Sequence, residues 1–248
     1  SPDRKTSGRE RRMIAQRILD WLAGLTFIAG AWLALTVPPD AVQGVYARVF
    51  HVHVPSAWLA FLAFGITLVG SIGWLISKRP WFDRLAHSSA EIGVFFTGLA
   101  IITGMIWGYP VWGVAWDWGD ARLMATAVMF FVYVAYLALR RTIDDPEVRA
   151  TRSAVLGTAA FVLVPVVYFS TILWRTLHQG MTIRPDGTDM GPEMLTAFLV
   201  NLLAFTILYL AFLTHRMRIA RLEDEAAARS TQTAGTAVES PDLGLIDG

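Results

Sequence analysis

The sequence is poor in the residues that most soluble enzymes use. Cysteine is absent from all 248 residues, and lysine occurs only at Lys5 and Lys78. Without thiols the chain has no disulfide and no zinc–cysteine cluster. No G-x-x-x-x-G-K-[ST] sequence occurs, so a phosphate-binding loop for ATP is excluded. The net charge of +1 lacks the basic excess that a nucleic-acid partner requires.

Long apolar stretches are what the sequence has instead. Apolar residues make up 54% of the chain, more than one core of this size can bury, so the solvent must be lipid. A hydrocarbon core about 30 Å thick needs about 20 apolar residues per helix. Six stretches meet this length: 18–37, 55–76, 89–107, 122–139, 153–174 and 194–214. The sequence therefore predicts an all-α integral membrane protein with six transmembrane helices.

The distribution of Lys and Arg predicts the orientation. Seventeen of the 21 basic residues lie in the two terminal segments and the 77–88 and 140–152 loops, and the opposite side has four: Arg48, Arg122, Arg175 and Arg184. Because basic segments stay in the cytoplasm, both termini are predicted to be cytoplasmic. We divide the chain into a cytoplasmic N-terminal segment (1–17), a six-helix transmembrane domain (18–214) and a cytoplasmic tail (215–248). The polar tail beyond Arg229, which lacks aromatic residues, is predicted to be disordered.

A tryptophan-rich outer loop is predicted between the third and fourth spans. Residues 107–122 read WGYPVWGVAWDWGDAR, with four tryptophans within twelve residues. Gly108, Pro110, Gly113 and Gly119 argue against a regular helix throughout. Tryptophans at this depth often anchor helices at the lipid headgroups, and that interpretation stays open. Their clustering on one loop favours a flat aromatic binding surface.

Three of the five histidines fall on the outer side, and two of them, His53 and His178, are candidate ligands. Pro55 suits the first turn of the second span, which places His53 at the outer mouth of that helix. His178 follows the fifth span; if that helix continues for one turn, Trp174 and His178 share a face, and Gly180 ends it. Either imidazole alone could be a hydrogen-bonded polar tip, but their joint placement favours a ligand site. His51 is a weaker candidate because it would point in a different direction from His53. His87 and His215 are weaker candidates because they fall on the cytoplasmic side.

The ligand that would use this set is a flat apolar macrocycle with a metal centre and acidic edges. Indole faces suit its ring, two neutral imidazoles suit the metal, and arginines suit the carboxylates. That description fits haem. Snorkelling at the interface is the other explanation for the outer arginines and is favoured for Arg48. Asp120 could equally well cap the fourth span. Because the chain has no Cys-x-x-Cys-His sequence, covalent haem attachment must occur on a partner.

At these residues the sequence resembles the haem-handling membrane proteins, specifically the family of cytochrome c maturation protein C (haem exporter protein C). Three stretches carry the resemblance: His53-Val54-Pro55, the 112–123 segment, and TLHQG at 176–180. The family motif reads W-G-x-x-W-x-W-D followed by A-R-L. Here Gly119 intervenes before Asp120, so either Asp117 or Asp120 could take the acidic role, although the following ARL favours Asp120.

The resemblance implies a haem site built from motif residues. His53 and His178 would be the axial ligands of haem b. Trp112, Trp116 and Trp118 would form the platform for the ring. The neighbouring residues expected at the site are Asp120, Arg122, Trp174 and Arg175.

The resemblance also implies a carrier without catalytic activity. It would hold haem at the periplasmic face of the bacterial inner membrane and deliver it to a periplasmic haem chaperone. Its partners would be an ABC ATPase subunit, a second membrane subunit and a small single-span subunit. The main alternative is a permease subunit for another small molecule, with the tryptophans as anchors. A b-type electron-transfer cytochrome is disfavoured, since no span has a histidine in its middle. A subunit needed only for assembly also stays open.

Overall fold

The computed structural model describes residues 2–178, 180, 183–184 and 187–238. These residues form α1 (Pro2–Thr36), α2 (Phe50–Ser77), α3 (Pro80–Trp112), α4 (Ala121–Arg141), α5 (Pro146–Ala160), α6 (Leu163–Leu173) and α7 (Pro192–Val238). A 3₁₀ helix, Val45–Val49, leads into α2. Two short strands, β1 (Ile183–Arg184) and β2 (Gly187–Thr188), pair antiparallel between α6 and α7.

Within the described part of the chain, six helical segments are long and apolar enough to cross a membrane. They are Met13–Thr36, Val45–Ser77, Pro80–Trp112, Ala121–Arg141, Pro146–Leu173 and Pro192–Ser230. The predicted all-α membrane protein with six spans is therefore confirmed, and α5 and α6 together form the fifth span. The orientation and the domain boundaries stay predictions. We refer to the helix ends nearest His53 and His178 as the outer ends.

The outer ends of α2 and α3 differ from the prediction. The 3₁₀ helix feeds directly into α2, because the Phe50 N–H donates to carbonyls of that helix, so Pro55 lies in the second turn and not in the first. Helix α3 continues through Gly108 and Pro110 and ends at Gly113, whose φ of 77° is left-handed and suits glycine. The segment is therefore helical to Trp112 and irregular from Gly113 to Asp120, which confirms that it is not a regular helix throughout.

The fifth span is interrupted at Phe161 and Val162. Pro165 explains the break, because proline has no N–H for the Phe161 carbonyl and its ring crowds that carbonyl. Helix α6 then ends at Leu173, and Trp174 has an extended backbone with φ −135° and ψ 160°. The condition under which Trp174 and His178 would share a face, that the helix continues for one more turn, is therefore not met.

Helix α7 is longer than the predicted span. Its backbone is helical to Val238, so residues 230–238 differ from the disorder that their composition predicted. Residues 239–248 lie outside the described part of the chain.

Helix α2 is the centre of the bundle and packs on α3, α5 and α7, while α1 packs on α7. Its contact with α3 depends on glycine, because a Cβ at Gly70 would lie 2.7 Å from the Ala86 nitrogen. Such small residues let membrane helices approach closely. At the inner end the Arg140 guanidinium donates to both Asp83 oxygens at 2.6 and 2.7 Å, which joins α4 to α3. Two cavities lie in the outer half of the bundle.

Candidate functional site

A cavity of about 390 Å³ lies among the outer halves of the helices. Aromatic and aliphatic side chains make most of its wall. His53, His178 and Arg122 supply its ionisable groups, and Tyr168 and Thr171 add hydroxyl-bearing side chains. A smaller space of about 60 Å³ is bounded by the same three residues together with Trp116. The structure therefore brings both predicted imidazoles and one predicted arginine to a common concave site.

The His53 ring is held by α3. Its Nδ1 lies 2.9 Å from the Ala100 carbonyl oxygen and 3.2 Å from the Thr103 hydroxyl. When Nδ1–H donates to a carbonyl, the lone pair stays on Nε2, which is how metal-binding histidines are commonly oriented. Gly104 makes room for the ring, because a Cβ there would lie 3.0 Å from His53 Cε1. His53 is thus oriented to offer one neutral nitrogen.

The His178 ring faces His53 across the cavity. The two ring centroids are 6.5 Å apart, with 33° between the planes. A metal–nitrogen bond to an imidazole is about 2.0–2.1 Å long. Two imidazoles that bind one metal from opposite sides therefore have ring centroids roughly 6 Å apart. The indole ring of Trp112 also contacts the His178 ring, with the two centroids 5.0 Å apart. The spacing of the two imidazoles therefore fits a single metal centre between them.

His178 is neutral at neutral pH. Burial lowers the pKa of His178 to about 4, and the nearby positive charge of Arg122 acts in the same direction. Its Nδ1 is buried without a hydrogen-bond partner among the described residues. A neutral imidazole is the form that binds metals, so the environment of this ring favours a ligand role.

Asp120 ties the segment that carries His178 to the start of α4. One carboxylate oxygen accepts from the Leu123 N–H at 2.9 Å, as an N-cap does. The other accepts from the Thr176 hydroxyl at 2.7 Å and from the Leu177 N–H at 2.6 Å. Burial alone would raise the pKa of Asp120, but these hydrogen bonds outweigh it and lower the pKa. The carboxylate is therefore charged and holds two distant segments together.

Asp117 has a different and local role. Its Oδ1 accepts from the Gly119 N–H at 2.8 Å and shapes the turn before α4. Asp120, and not Asp117, contacts the His178 segment. The extra Gly119 is accommodated within this turn, so the acidic group that follows it keeps its place at the N-cap of α4.

Arg122 lies in the first turn of α4 and lines both spaces. Within the described part of the chain no hydrogen bond or ion pair holds its guanidinium. An unpaired cation beside an apolar cavity is suited to binding a carboxylate, because arginine pairs with carboxylates in a bidentate manner. Arg48 is occupied, since it donates to the Val37 carbonyl at 3.1 Å.

A sequence profile describing Heme exporter protein C matches residues 5–232. The chain belongs to the heme exporter protein C family. Among its relatives, heme exporter protein C of Bradyrhizobium diazoefficiens is 36% identical over 209 residues, which is 83% of this chain and 79% of that protein. The protein of the same name from Escherichia coli K12 is 32% identical over 182 residues, 73% of each chain. A putative cytochrome c biosynthesis ccmC-like mitochondrial protein of Arabidopsis thaliana is 32% identical over 191 residues, 73% of this chain and 72% of that protein.

In this member of the heme exporter protein C family the predicted aromatic platform is only partly assembled. Trp112 lines neither space but contacts the His178 ring, and Trp116 bounds the smaller space. Trp118 is 78% exposed and contacts Trp116 with its ring edge, at 5.8 Å between centroids. Trp174 and Arg175 are exposed and do not line either space. Among these candidates the structure brings Trp112 and Trp116 to the site and leaves the other three outside it.

Several site residues were missed by sequence reasoning. Trp107, at the outer end of α3, lies 5.7 Å from the His53 ring and donates to Gln43 at 2.9 Å. Its place in the tryptophan-rich segment was a signal that could have found it. Thr176 adjoins His178 in the TLHQG stretch, which is a similar signal. Tyr168 and Phe198 line the cavity from α6 and α7, and nothing local in the sequence marks them.

His51 is confirmed as pointing away from the site. Its ring is fully buried and lies between the carbonyl oxygens of Arg48 and Met194, at 3.3 and 3.4 Å. It therefore joins the start of α2 to the start of α7. His87 and His215 lie near the acidic side chains of Glu91 and Asp20 at the inner end.

Proposed function

We propose that this member of the heme exporter protein C family binds haem b as cargo at the outer, periplasmic face of the bacterial inner membrane. It then delivers the haem to a periplasmic haem chaperone for the maturation of c-type cytochromes. The observation that supports this most strongly is the facing of His53 and His178 at 6.5 Å over an aromatic cavity. In this proposal the two imidazoles are the axial ligands of the iron.

Each polar group at the site has a distinct task in this proposal. Ala100 and Thr103 orient His53, while Asp120 and Thr176 hold the segment of His178. The free guanidinium of Arg122 is available for a propionate. The bound haem supplies an iron that accepts two neutral nitrogen donors. In this proposal the chain acts as a carrier and not as an enzyme, which the heme exporter names of its relatives support.

The remaining steps belong to partners. Because the chain has no ATP-binding loop, an ABC ATPase subunit would supply energy, together with a second membrane subunit and a small single-span subunit. Covalent attachment of haem would occur on the chaperone, since this chain has no cysteine. The names of the relatives support this role: heme exporter in two bacteria, and cytochrome c biosynthesis in the plant protein.

Visible absorption spectra of the purified protein in detergent test the proposal. The parent chain, co-expressed with its chaperone partner, is expected to show a Soret band that is shifted or lost in His53→Ala and His178→Ala. His215→Ala is the matched control, because this imidazole pairs with Asp20 at the inner end, and its spectrum should equal that of the parent. A parent that binds no haem would contradict the proposal and favour a permease for another small molecule.

A further inference from the structure

One stripe of α2 is left uncovered in the outer half of the bundle. Val54, Ala57, Trp58 and Phe61 follow the i, i+3, i+4, i+7 spacing of one helical face, and all four line the 390 Å³ cavity. Trp58 is 42% exposed although its neighbour Leu59 is fully buried against other helices. The central helix therefore forms the floor of a groove.

The break in the fifth span produces the groove. Before the break, α5 packs on α2, and after it α6 packs on α4. Helix α7 packs on α1, α2 and α3. The two rims of the groove are thus supplied by different helices, with Tyr168 and Thr171 from α6 and Phe198 and Leu202 from α7. Since Pro165 causes the break, the sequence itself encodes the groove as part of the fold.

The groove runs from the histidine pair into the hydrocarbon region. Phe61 is eight residues beyond His53 on α2, which corresponds to about 12 Å at 1.5 Å per residue. The hydrocarbon core is about 30 Å thick, so this depth is well inside it. Trp58 and Tyr168 are 42% and 44% exposed here. Side chains exposed at this depth meet lipid and not water, so the groove opens sideways to the outer leaflet.

The chemistry of the groove changes along its length. The deep part is aromatic and aliphatic, and the indole N–H of Trp58 is satisfied by Thr206 at 3.1 Å. His53, His178 and Arg122, the groups able to bind a metal or a carboxylate, lie at its outer end, and Tyr168 and Thr171 add hydroxyl-bearing side chains on the α6 rim. A flat amphipathic ring with carboxylates on one edge matches this gradient, with the ring in the groove and the carboxylates towards Arg122. A lipid chain matches the deep part only.

We propose that this groove is the lateral path by which haem passes from the outer leaflet of the bilayer to His53 and His178. The inference rests on the proposed haem-binding function. In this proposal the porphyrin enters from the lipid, between α6 and α7, and does not enter from the aqueous outer side.

The absence of cysteine makes a clean cross-linking test possible. Thr171→Cys and Leu202→Cys place one thiol on each rim of the groove, and a reducible bifunctional thiol reagent bridges them in the full-length protein. Haem is supplied in lipid vesicles, and loading is followed by the growth of the Soret band. Bridging is expected to slow loading roughly tenfold or more, because access then requires a rearrangement, and reduction should restore the rate. Each single-cysteine variant, treated with the same reagent, is the control.

A second variant tests the same prediction without a cross-link, which could distort the protein. Ala57→Trp fills the groove floor without joining the rims, and it should slow loading from vesicles in the same way. Val134→Trp, at a 37% exposed position on α4, is the matched control and should load like the parent. Loading at the parent rate in both the bridged protein and Ala57→Trp would overturn the lateral path, and the groove would then hold only lipid. A parent that never develops a Soret band would instead contradict the proposed function.

Discussion

The Asp120 carboxylate accepts a hydrogen bond from the Thr176 hydroxyl at 2.7 Å, although the two residues are 56 positions apart in the chain. The Thr176 oxygen in turn accepts from the His178 N–H at 3.2 Å. One buried carboxylate therefore connects the tryptophan-rich segment to the segment that carries a proposed iron ligand. Two sequence motifs that are separate along the chain act as one structural unit.

Removing the Thr176 hydroxyl should loosen His178. In Thr176→Val the buried Asp120 carboxylate loses one hydrogen bond, and leaving such a group short of a partner costs about 1–3 kcal/mol. We expect haem to dissociate faster and the Soret band to shift towards that of His178→Ala. Thr176→Ser keeps the hydroxyl and should restore both the dissociation rate and the spectrum. A Thr176→Val protein with the parent spectrum would show that Thr176 does not position the ligand.

A methyl group at Gly104 should displace the His53 ring. The added Cβ would lie 3.0 Å from His53 Cε1, closer than ordinary van der Waals contact. We expect Gly104→Ala to weaken haem binding and alter the spectrum, measured by haem titration in detergent. Gly98→Ala on the same helix is the control, because its Cβ would lie 3.5 Å from Phe130, an ordinary contact. Equal haem affinity in the two variants would argue against this close approach.

The two tryptophans Trp112 and Trp118 should differ in their effect on haem. Trp112 packs on His178 with centroids 5.0 Å apart, whereas Trp118 is 78% exposed. Trp112→Ala is therefore expected to lower haem retention after gel filtration, with the loss of an aromatic contact worth about 0.5–1.5 kcal/mol. Trp118→Ala should retain haem like the parent. The reverse order would place Trp118 in the platform for the ring.

Haem ligation should persist well below the ordinary pKa of histidine. An unperturbed imidazole has a pKa of about 6.5, whereas burial lowers that of His178 to about 4. The folded state therefore binds fewer protons than the unfolded state between these two values, so stability falls as pH drops through this window. Because protonation removes the ligating lone pair, the Soret band should hold from neutral pH to about pH 5 and decline below it. A midpoint near 6.5 in a pH titration of the spectrum would contradict the lowered pKa.

Much of the architecture could be predicted from local sequence. Six spans follow from the length and apolarity that a lipid solvent demands, and the structure confirms them. His53 and His178 could be predicted to lie together, because His53 precedes the second span and His178 follows the fifth span on the same predicted side. The end of α6 could not be predicted, because Thr176 and Leu177 bind Asp120 from another segment. That distant contact, and not helix propensity, determines the backbone between Trp174 and His178.

The amino-acid sequence by itself determined the class of protein, the number of spans and the three motifs that mark the family, since these depend on composition and on residues close together in the chain. Only the tertiary structure decided which motif residues meet. It placed Trp112, Trp116 and Arg122 beside the histidine pair and left Trp118, Trp174 and Arg175 outside. The physical reason is that Trp116, Trp118, Trp174 and Arg175 lie in irregular segments. The course of these segments depends on contacts between distant parts of the chain, such as Asp120 with Thr176 and Leu177.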